Sequence, residues 1–440
     1  MATRRVAVIG SGIAGLSVAY GLRAEARVTL FEAGDYFGGH THTVDVTLDG
    51  MTHGVDTGFL VLNERTYPNL LRLFEQLGVE IAKSDMSFSV QVPGVGHRPG
   101  LEWSGCDLNT VFAQRANLVR PRFWRMLADL LRFNKLATAL ANSGAAAALD
   151  QPIGGFLKQH RFSDEFRDWY FLPMIGCIWS CPVDQMLRFP VATMIRFCHN
   201  HGLIQVANRP QWYTVRGGAR TYVNKMLEAI PDARLNTPVL RVRRASNGHG
   251  SAVLVSTAAG TERFDAVVMA CHSDQSLALL ADPSAAETAV LGAIRYHANR
   301  AVLHTDTSLL PTRRLAWAAW NYERADDDSR EQAAVCLHYL LNRLQPLPFA
   351  TPVVVSLNPV REPRAGSVHA EFDYAHPVFD MAAMAAQERV PELQGRQRTW
   401  FCGAWTRYGF HEDGLMSGLA VCDGLRASWA TNRPLVEEVA

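Results

Sequence analysis

Little in this sequence points to a charged partner. Lys and Arg number 43 against 42 Asp and Glu, a balance of +1 over 440 residues, so no global field draws the chain to nucleic acid. Once the segment around residues 6–22 is set aside, no apolar run of about 18 residues remains, and no membrane-spanning helix is expected. The eight cysteines are scattered, which suits free thiols in a reducing compartment and makes the cytoplasm the expected location. Cys177, Cys181, Cys198, His199 and His201 come nearest to a zinc pattern. They lack paired CxxC spacing, and no metal is expected. A chain of this length can bury a substantial core and is expected to form two domains.

Against these absences stands one dense stretch, Arg5 to Glu32. Val6, Ala7, Val8 and Ile9 form an apolar run of the kind that makes a buried parallel strand. Gly10-Ser11-Gly12-Ile13-Ala14-Gly15 follows, then a helical pattern to about Leu22, then a strand over Val28–Phe31 ending on Glu32. Gly10 allows a tight turn, Gly12 lets backbone approach a pyrophosphate, and Gly15 lets helix and strand pack closely. The helix start offers N–H groups to phosphate, and Glu32 offers a carboxylate to ribose hydroxyls. A glycine motif alone is weak. Strand, glycines, helix, strand and acid in order within one βαβ unit predict a dinucleotide site. Arg4-Arg5 before an uncharged run also mimics a secretory signal, but spaced glycines and a strand closing on an acid do not suit a segment that is cut away.

Further along come Gly38-Gly39-His40-Thr41-His42-Thr43 and Val55-Asp56-Thr57-Gly58-Phe59. A second glycine pair is either a plain loop or backbone brought against the same pyrophosphate, with the side chain of residue 40 near its charge. Together these motifs resemble the opening of the flavin amine oxidase superfamily, which includes phytoene-desaturase-like and protoporphyrinogen-oxidase-like enzymes. The resemblance implies bound FAD. It also implies contacts from Gly10, Gly12, Ile13, Ala14, Gly15 and Glu32, from Gly38, Gly39, His40 and Thr41, and from Thr57, Gly58 and Phe59. In most members an arginine follows the glycine pair; this chain has His40.

Residues 107–205 change to long helical patterns. Phe123, Leu127, Leu130 and Leu131 mark one face, and Arg122, Arg125 and Arg132 another. Such a basic amphipathic helix is either a solvated face on a buried helix or a surface for anionic headgroups at the inner membrane face. The apolar run from Phe171 to Trp179 reads as core or as the wall of a greasy substrate channel. From Trp212 the pattern returns to α/β, with a hairpin turning at Asn247-Gly248 and a buried strand over Asp265–Ala270. Acidic Asp326, Asp327 and Asp328 suggest an exposed loop. The resemblance implies that backbone at Val239 touches the adenine.

Near the C-terminus, a strand runs into Gly403, and a polar, aromatic loop then leads to a helix beginning near Asp413. That helix N-terminus suits a flavin edge that gains negative charge on reduction. The resemblance puts Gly403, Asp413, Gly414 and Leu415 against the flavin. Two departures bear on chemistry. The aromatic wall typical of amine oxidases falls on Phe410 or His411, depending on where a one-residue gap lies. No lysine stands near Asn299 and Arg300, where amine oxidases usually carry one. His411 is the first candidate for a base, with Glu412 as its orienter or replacement; the alternative is that His411 only bonds the flavin edge.

The wording of the glycine, DTGF and C-terminal motifs is similar to bacterial NAD/FAD-binding proteins linked to cyclopropane-type lipid methylation. The expected fold is α/β: a Rossmann-like FAD domain built from 1–75, 206–275 and 395–440. It is interleaved with a mixed α+β substrate domain from 76–205, mainly helical, and 276–394. The expected activity is FAD-dependent desaturation of a lipid acyl chain, with an apolar substrate as the partner. A flavin amine oxidase producing peroxide and a non-catalytic FAD-binding partner of a lipid methyltransferase are the rivals.

Overall fold

The computed structural model describes residues 4–94, 100–143, 151–179, 182–205, 209–247, 250–324 and 335–430. Its organising element is a five-stranded sheet. In chain order its strands are β1 (Arg5–Ile9), β2 (Arg27–Phe31), β3 (Asp232–Arg234), β4 (Ala266–Met269) and β5 (Thr399–Phe401). They lie side by side in the order β3-β2-β1-β4-β5, with every pairing parallel. Parallel strands need crossovers that cover both faces, which is why Val6–Ile9 and Ala266–Met269 are buried throughout. Three distant stretches of sequence thus meet in one sheet.

Helix α1 (Ile13–Leu22) leaves the carboxyl end of β1 and buries eight of its ten residues. Its partner is the C-terminal helix (His411–Ala430). The two press together at glycine: a Cβ at Gly418 would overlap Ser17 Oγ, and one at Gly414 would lie 2.8 Å from Ile13 Cγ2. Helix α2 (Pro68–Leu77) starts on a proline at its first turn and ends on left-handed Gly78, turning Leu70, Leu73 and Phe74 inward. Helix α3 (Pro121–Asn142) buries Phe123, Met126, Phe133 and Ala137 at helical spacing. A wide turn at Arg167–Phe171 leads into α4 (Leu172–Trp179), nearly all of which is buried.

A second, seven-stranded sheet lies over the first assembly. Its order is 368–378, 295–304, 354–357, 336–340, 320–323, 88–92 and 101–104. All its pairings are antiparallel except 320–323 with 88–92. The two strands at 88–104 enter it from the otherwise helical stretch. A small sheet also pairs Ile81–Ser84 with Trp212–Val215. The hairpin pairs Asn247 with Gly250, while Gly248, like Asp326 to Asp328, lies outside the described residues. Among the described residues no helix is long and apolar enough to cross a membrane.

Candidate active site

Two glycine loops form one end of a cavity of about 530 Å³. Gly10 closes β1 with a φ of +102°, and a Cβ there would lie 2.9 Å from Ala270 O. A Cβ at Gly15 would overlap Gly10 O, so helix and strand touch there through backbone alone. Gly12 faces open space, and no side chain caps the start of α1, which leaves its first N–H groups for a ligand. Gly39 packs 3.2 Å from Gly12 Cα by the same Cβ measure, bringing the second loop onto the first. Glu32 accepts from Ser11 N and Oγ through one oxygen and from Gly34 N through the other. A carboxylate has about four acceptor sites, so one is left for a ribose hydroxyl.

His40 stands between the loops. Burial holds its imidazole well below the usual range, so it sits there neutral. Its Nε2 is buried with no partner among the described residues, an orphan that a phosphate-bearing cofactor satisfies. These features fit a dinucleotide.

The cavity brings together Gly10, Gly12, Ile13, Ala14, Glu32, Gly38, Gly39, His40, Thr57, Gly58, Phe59, Gly403 and His411. Other expected residues stand one layer back. Gly15 is the packing contact already described. Thr41 Oγ1 is 2.6 Å from Tyr222 Oη, and Asp413 accepts from Phe410 N. Gly414 packs on Ile13, and Leu415 is in the core. Val239 opens the strand 239–247, two residues beyond Thr237, whose N–H reaches Glu32 O, and does not line the cavity.

His411 occupies the start of α6, the helix His411–Ala430. Its ring stacks on Phe59 with centroids 3.9 Å apart. Its Nε2 is 2.7 Å from Tyr222 Oη, which leaves Nδ1 as the nitrogen without a hydrogen-bond partner among the described residues. Burial pulls its pKa down to about 3, so the ring is neutral. Tyr222 lies on α5 (Arg220–Leu227), whose start is held by buried Asp56: Asp56 Oδ1 accepts from Ala219 N at 2.9 Å and from Thr43 Oγ1. Burial raises Asp56 to about 7.

Glu412 does not orient His411. Its carboxylate accepts from Asn69 N, Asn69 Nδ2 and Leu70 N, capping the first turn of α2. Successive residues at a helix start diverge by about 100°, so one faces the cavity and the next a neighbouring helix.

The seven-stranded sheet supplies residues that the motifs did not reveal. Tyr374 and His376 share one face of strand 368–378 and line the cavity; their period-two spacing marks that face, but nothing in the sequence ties it to the glycine loops. Asn358 Nδ2 donates to Asn299 Oδ1 at 2.7 Å, and Asn299 Nδ2 donates to His376 Nδ1 at 3.0 Å. This chain fixes the His376 proton on Nε2, and burial lowers its pKa to about 4. Asn299 therefore serves a histidine at the place where a lysine is usual.

The far end is greasy. Met86, Phe88, Met174, Ile178 and Trp179 form one wall, and Phe197 stacks on Phe410 at 4.7 Å. The run from Phe171 to Trp179 is thus both core and lining. Phe410 and His411 both reach the cavity, one against Phe197 and the other against Phe59. Among the described lining residues Glu32 is the single Asp, Glu, Lys or Arg.

Of the residues that hinted at zinc, Cys177 and Cys198 are buried free thiols, and Cys181 lies outside the described residues. Glu323, Cys336 and His338 do converge, on the sheet face opposite Tyr339 and the cavity. There Arg361 lies 3.1 Å from Glu323 and supplies the positive charge that a cation would bring.

A family model for flavin-containing amine oxidoreductases matches residues 13–340. No curated protein matches the sequence. Among solved structures, a candidate protoporphyrinogen oxidase from Exiguobacterium sp. 255-15 has a TM-score of 0.65 at 17% identity, covering 97% of this chain and 100% of that one. A CLA-producing fatty acid isomerase from P. acnes has a TM-score of 0.63 at 16% identity, covering 96% and 98%. Putrescine oxidase bound to putrescine has a TM-score of 0.65 at 15% identity, covering 97% and 99%. These likenesses establish a shared fold. With the match over residues 13–340, the chain belongs to the flavin-containing amine oxidoreductase family and is an FAD-dependent oxidoreductase.

Proposed function

We propose that this enzyme dehydrogenates the acyl chain of a lipid. The observation that carries the reading is the uncharged wall running from Leu60 to Phe410. A buried ammonium costs several kcal/mol to desolvate, and no carboxylate in that wall offsets the cost. An uncharged, apolar substrate meets no such penalty. The fold-mate named as a fatty acid isomerase is a precedent for an acyl substrate in this architecture.

The glycine loops, the start of α1 and Glu32 would hold FAD, which would supply a two-electron acceptor for a hydride. Because the hydride carries both electrons, the neighbouring carbon must lose a bare proton. His411 is placed to take that proton at Nδ1. An imidazole with a pKa of about 3 is a weak base, which suits a proton leaving an electron-poor carbon, as arises beside an existing double bond. Tyr222 Oη, backed by Thr41 Oγ1, accepts from the Nε2 proton and holds the ring in the tautomer whose Nδ1 is free. The proton taken at Nδ1 would stay on the ring, its charge offset by the negative charge that a hydride would bring to FAD. Phe59, Phe197 and Phe410 keep water from the site.

The test is anaerobic mixing of the yellow protein with phospholipids bearing unsaturated or methylated chains. Bleaching of the visible flavin band is expected, with a new double bond in the recovered lipid. Bleaching by amines such as putrescine, and not by lipid, would reverse the assignment.

A further inference from the structure

Solitary exposed apolar side chains are ordinary on a protein surface. Here they are not solitary. Of eleven large apolar side chains exposed among the described residues, Leu108, Leu118, Val119, Trp124, Leu131 and Leu315 stand on one corner. Leu108 is 79% exposed and Val119 83%, values at which burial contributes nothing to folding. The corner is built from the turn Leu108–Val111, the turn Arg115–Val119 and the first three turns of α3, with the turn Arg314–Ala316 packed beside them. Trp124 and Leu131 are seven residues apart and share a helix face. The indole of Trp124 is fixed by its Nε1 donating to Leu118 O at 2.9 Å, so the apolar surface is presented rigidly.

Arginine outnumbers acid around this surface, where Asp107 caps the turn at Leu108 and Asp129 pairs with Arg132. From Leu108 to Ala128 the chain has four arginines and no Asp or Glu. Arg115 spends its hydrogen bonds on Asn109 and Phe112, and Arg120 on Gly100 and Asn117; neither is paired with an acid. Arg122 and Arg125 share the single carboxylate of Glu165. A positive excess therefore remains around the apolar tip. The corner also backs onto the cavity through touching rings. Trp124 meets Phe112 at 5.4 Å, Phe112 meets Phe123 at 5.8 Å, Phe123 meets Trp103 at 6.2 Å, and Trp103 meets Phe88 at 6.2 Å. Phe88 lines the cavity wall.

We infer that this corner docks on a bilayer bearing anionic headgroups, with Leu118, Val119 and Trp124 entering the interface and the arginines meeting phosphate. An apolar tip with an aromatic residue at the headgroup level and a basic rim is the physical form of an interfacial anchor. A protein partner of balanced charge gains nothing from the net positive rim. The inference does not depend on the proposed dehydrogenation, because docking requires no turnover.

The experiment is co-flotation of the FAD-loaded protein with vesicles of phosphatidylcholine, with and without phosphatidylglycerol. The protein should float with the phosphatidylglycerol vesicles, stay behind with pure phosphatidylcholine, and be released by high salt. Arg115→Gln with Arg125→Gln should lower partitioning by about fivefold per arginine. Leu108→Asp with Val119→Asp should lower it at least about tenfold. Both variants should keep the flavin spectrum and thermal midpoint, since these side chains lie outside the core. The proposal is overturned if the wild type fails to float, if it floats equally on neutral vesicles, or if both variants float unchanged. It is also overturned if the protein is a dimer that Val119→Asp converts to monomer, because a second copy then covers the corner.

Discussion

Removing one hydroxyl tests the reading of the active site most directly. Tyr222→Phe keeps the ring, which is fully buried and packs 5.3 Å from Phe74, so no cavity opens. What disappears is the oxygen that lies 2.6 Å from Thr41 Oγ1 and 2.7 Å from His411 Nε2. Each of those atoms is left without that partner, at about 1–3 kcal/mol apiece. For 440 residues the entropy of unfolding translates this into about 1 °C per kcal/mol, a fall of about 2–6 °C in thermal midpoint. FAD should remain bound, since Tyr222 is not among the residues that line the cavity. If Tyr222 holds His411 in the tautomer whose Nδ1 is free, the anaerobic rate of flavin reduction should drop by about 10²-fold, within the range for general acid–base catalysis, while the substrate concentration at half-saturation stays put. A purely structural tyrosine would lower the midpoint and leave the rate within twofold. That result would refute the positioning of His411 by Tyr222 and leave His411 as a contact only.

Glu412→Gln should cost about 1 kcal/mol in stability by weakening the cap on α2, with little change in flavin reduction; a large loss of rate would show that Glu412 takes part in chemistry. Gly15→Ala forces a Cβ onto Gly10 O and should abolish FAD retention, read from the visible absorbance of the purified protein. His376 supplies a pH signature. Its pKa falls to about 4 on folding because burial disfavours the charged ring, so below about pH 6.5 the unfolded chain binds a proton there that the folded chain does not. Its burial therefore costs stability as pH falls from 6.5 towards 4, at about 1.4 kcal/mol per pH unit. The stability of His376→Gln, followed by urea unfolding across that window, should decline less steeply than wild type by that slope. Parallel curves would show that His376 is exposed to water in the folded protein.

Much of the nucleotide end was legible because its signals are local. Gly10, Gly12 and Gly15 are demanded by backbone clearances within one βαβ unit, and the apolar run Val6–Ile9 by burial on both faces. Helix α2 likewise announces itself through Pro68, Gly78 and the spacing of Leu70, Leu73 and Phe74. The partnerships of side chains were another matter. His411 and Glu412 are neighbours in sequence and suggest a base with its orienter or replacement, yet a helical turn sends one to the cavity and the other to the N-terminus of α2. Thr41 sits among the glycine motifs but turns away to Tyr222, a residue 181 positions distant. Asn299 marks the place of a missing lysine, and only the pairing of strands 295–304 and 368–378 shows that it bonds His376.

By itself the sequence determined the βαβ unit and the glycine cradle, since each follows from periodicity and backbone sterics over a few adjacent residues. The tertiary structure alone decided which polar groups satisfy one another, which charges were kept out of the cavity wall, and which apolar side chains were left outside. Those outcomes depend on strands and helices hundreds of residues apart arriving at the same place, and no local pattern encodes that arrival.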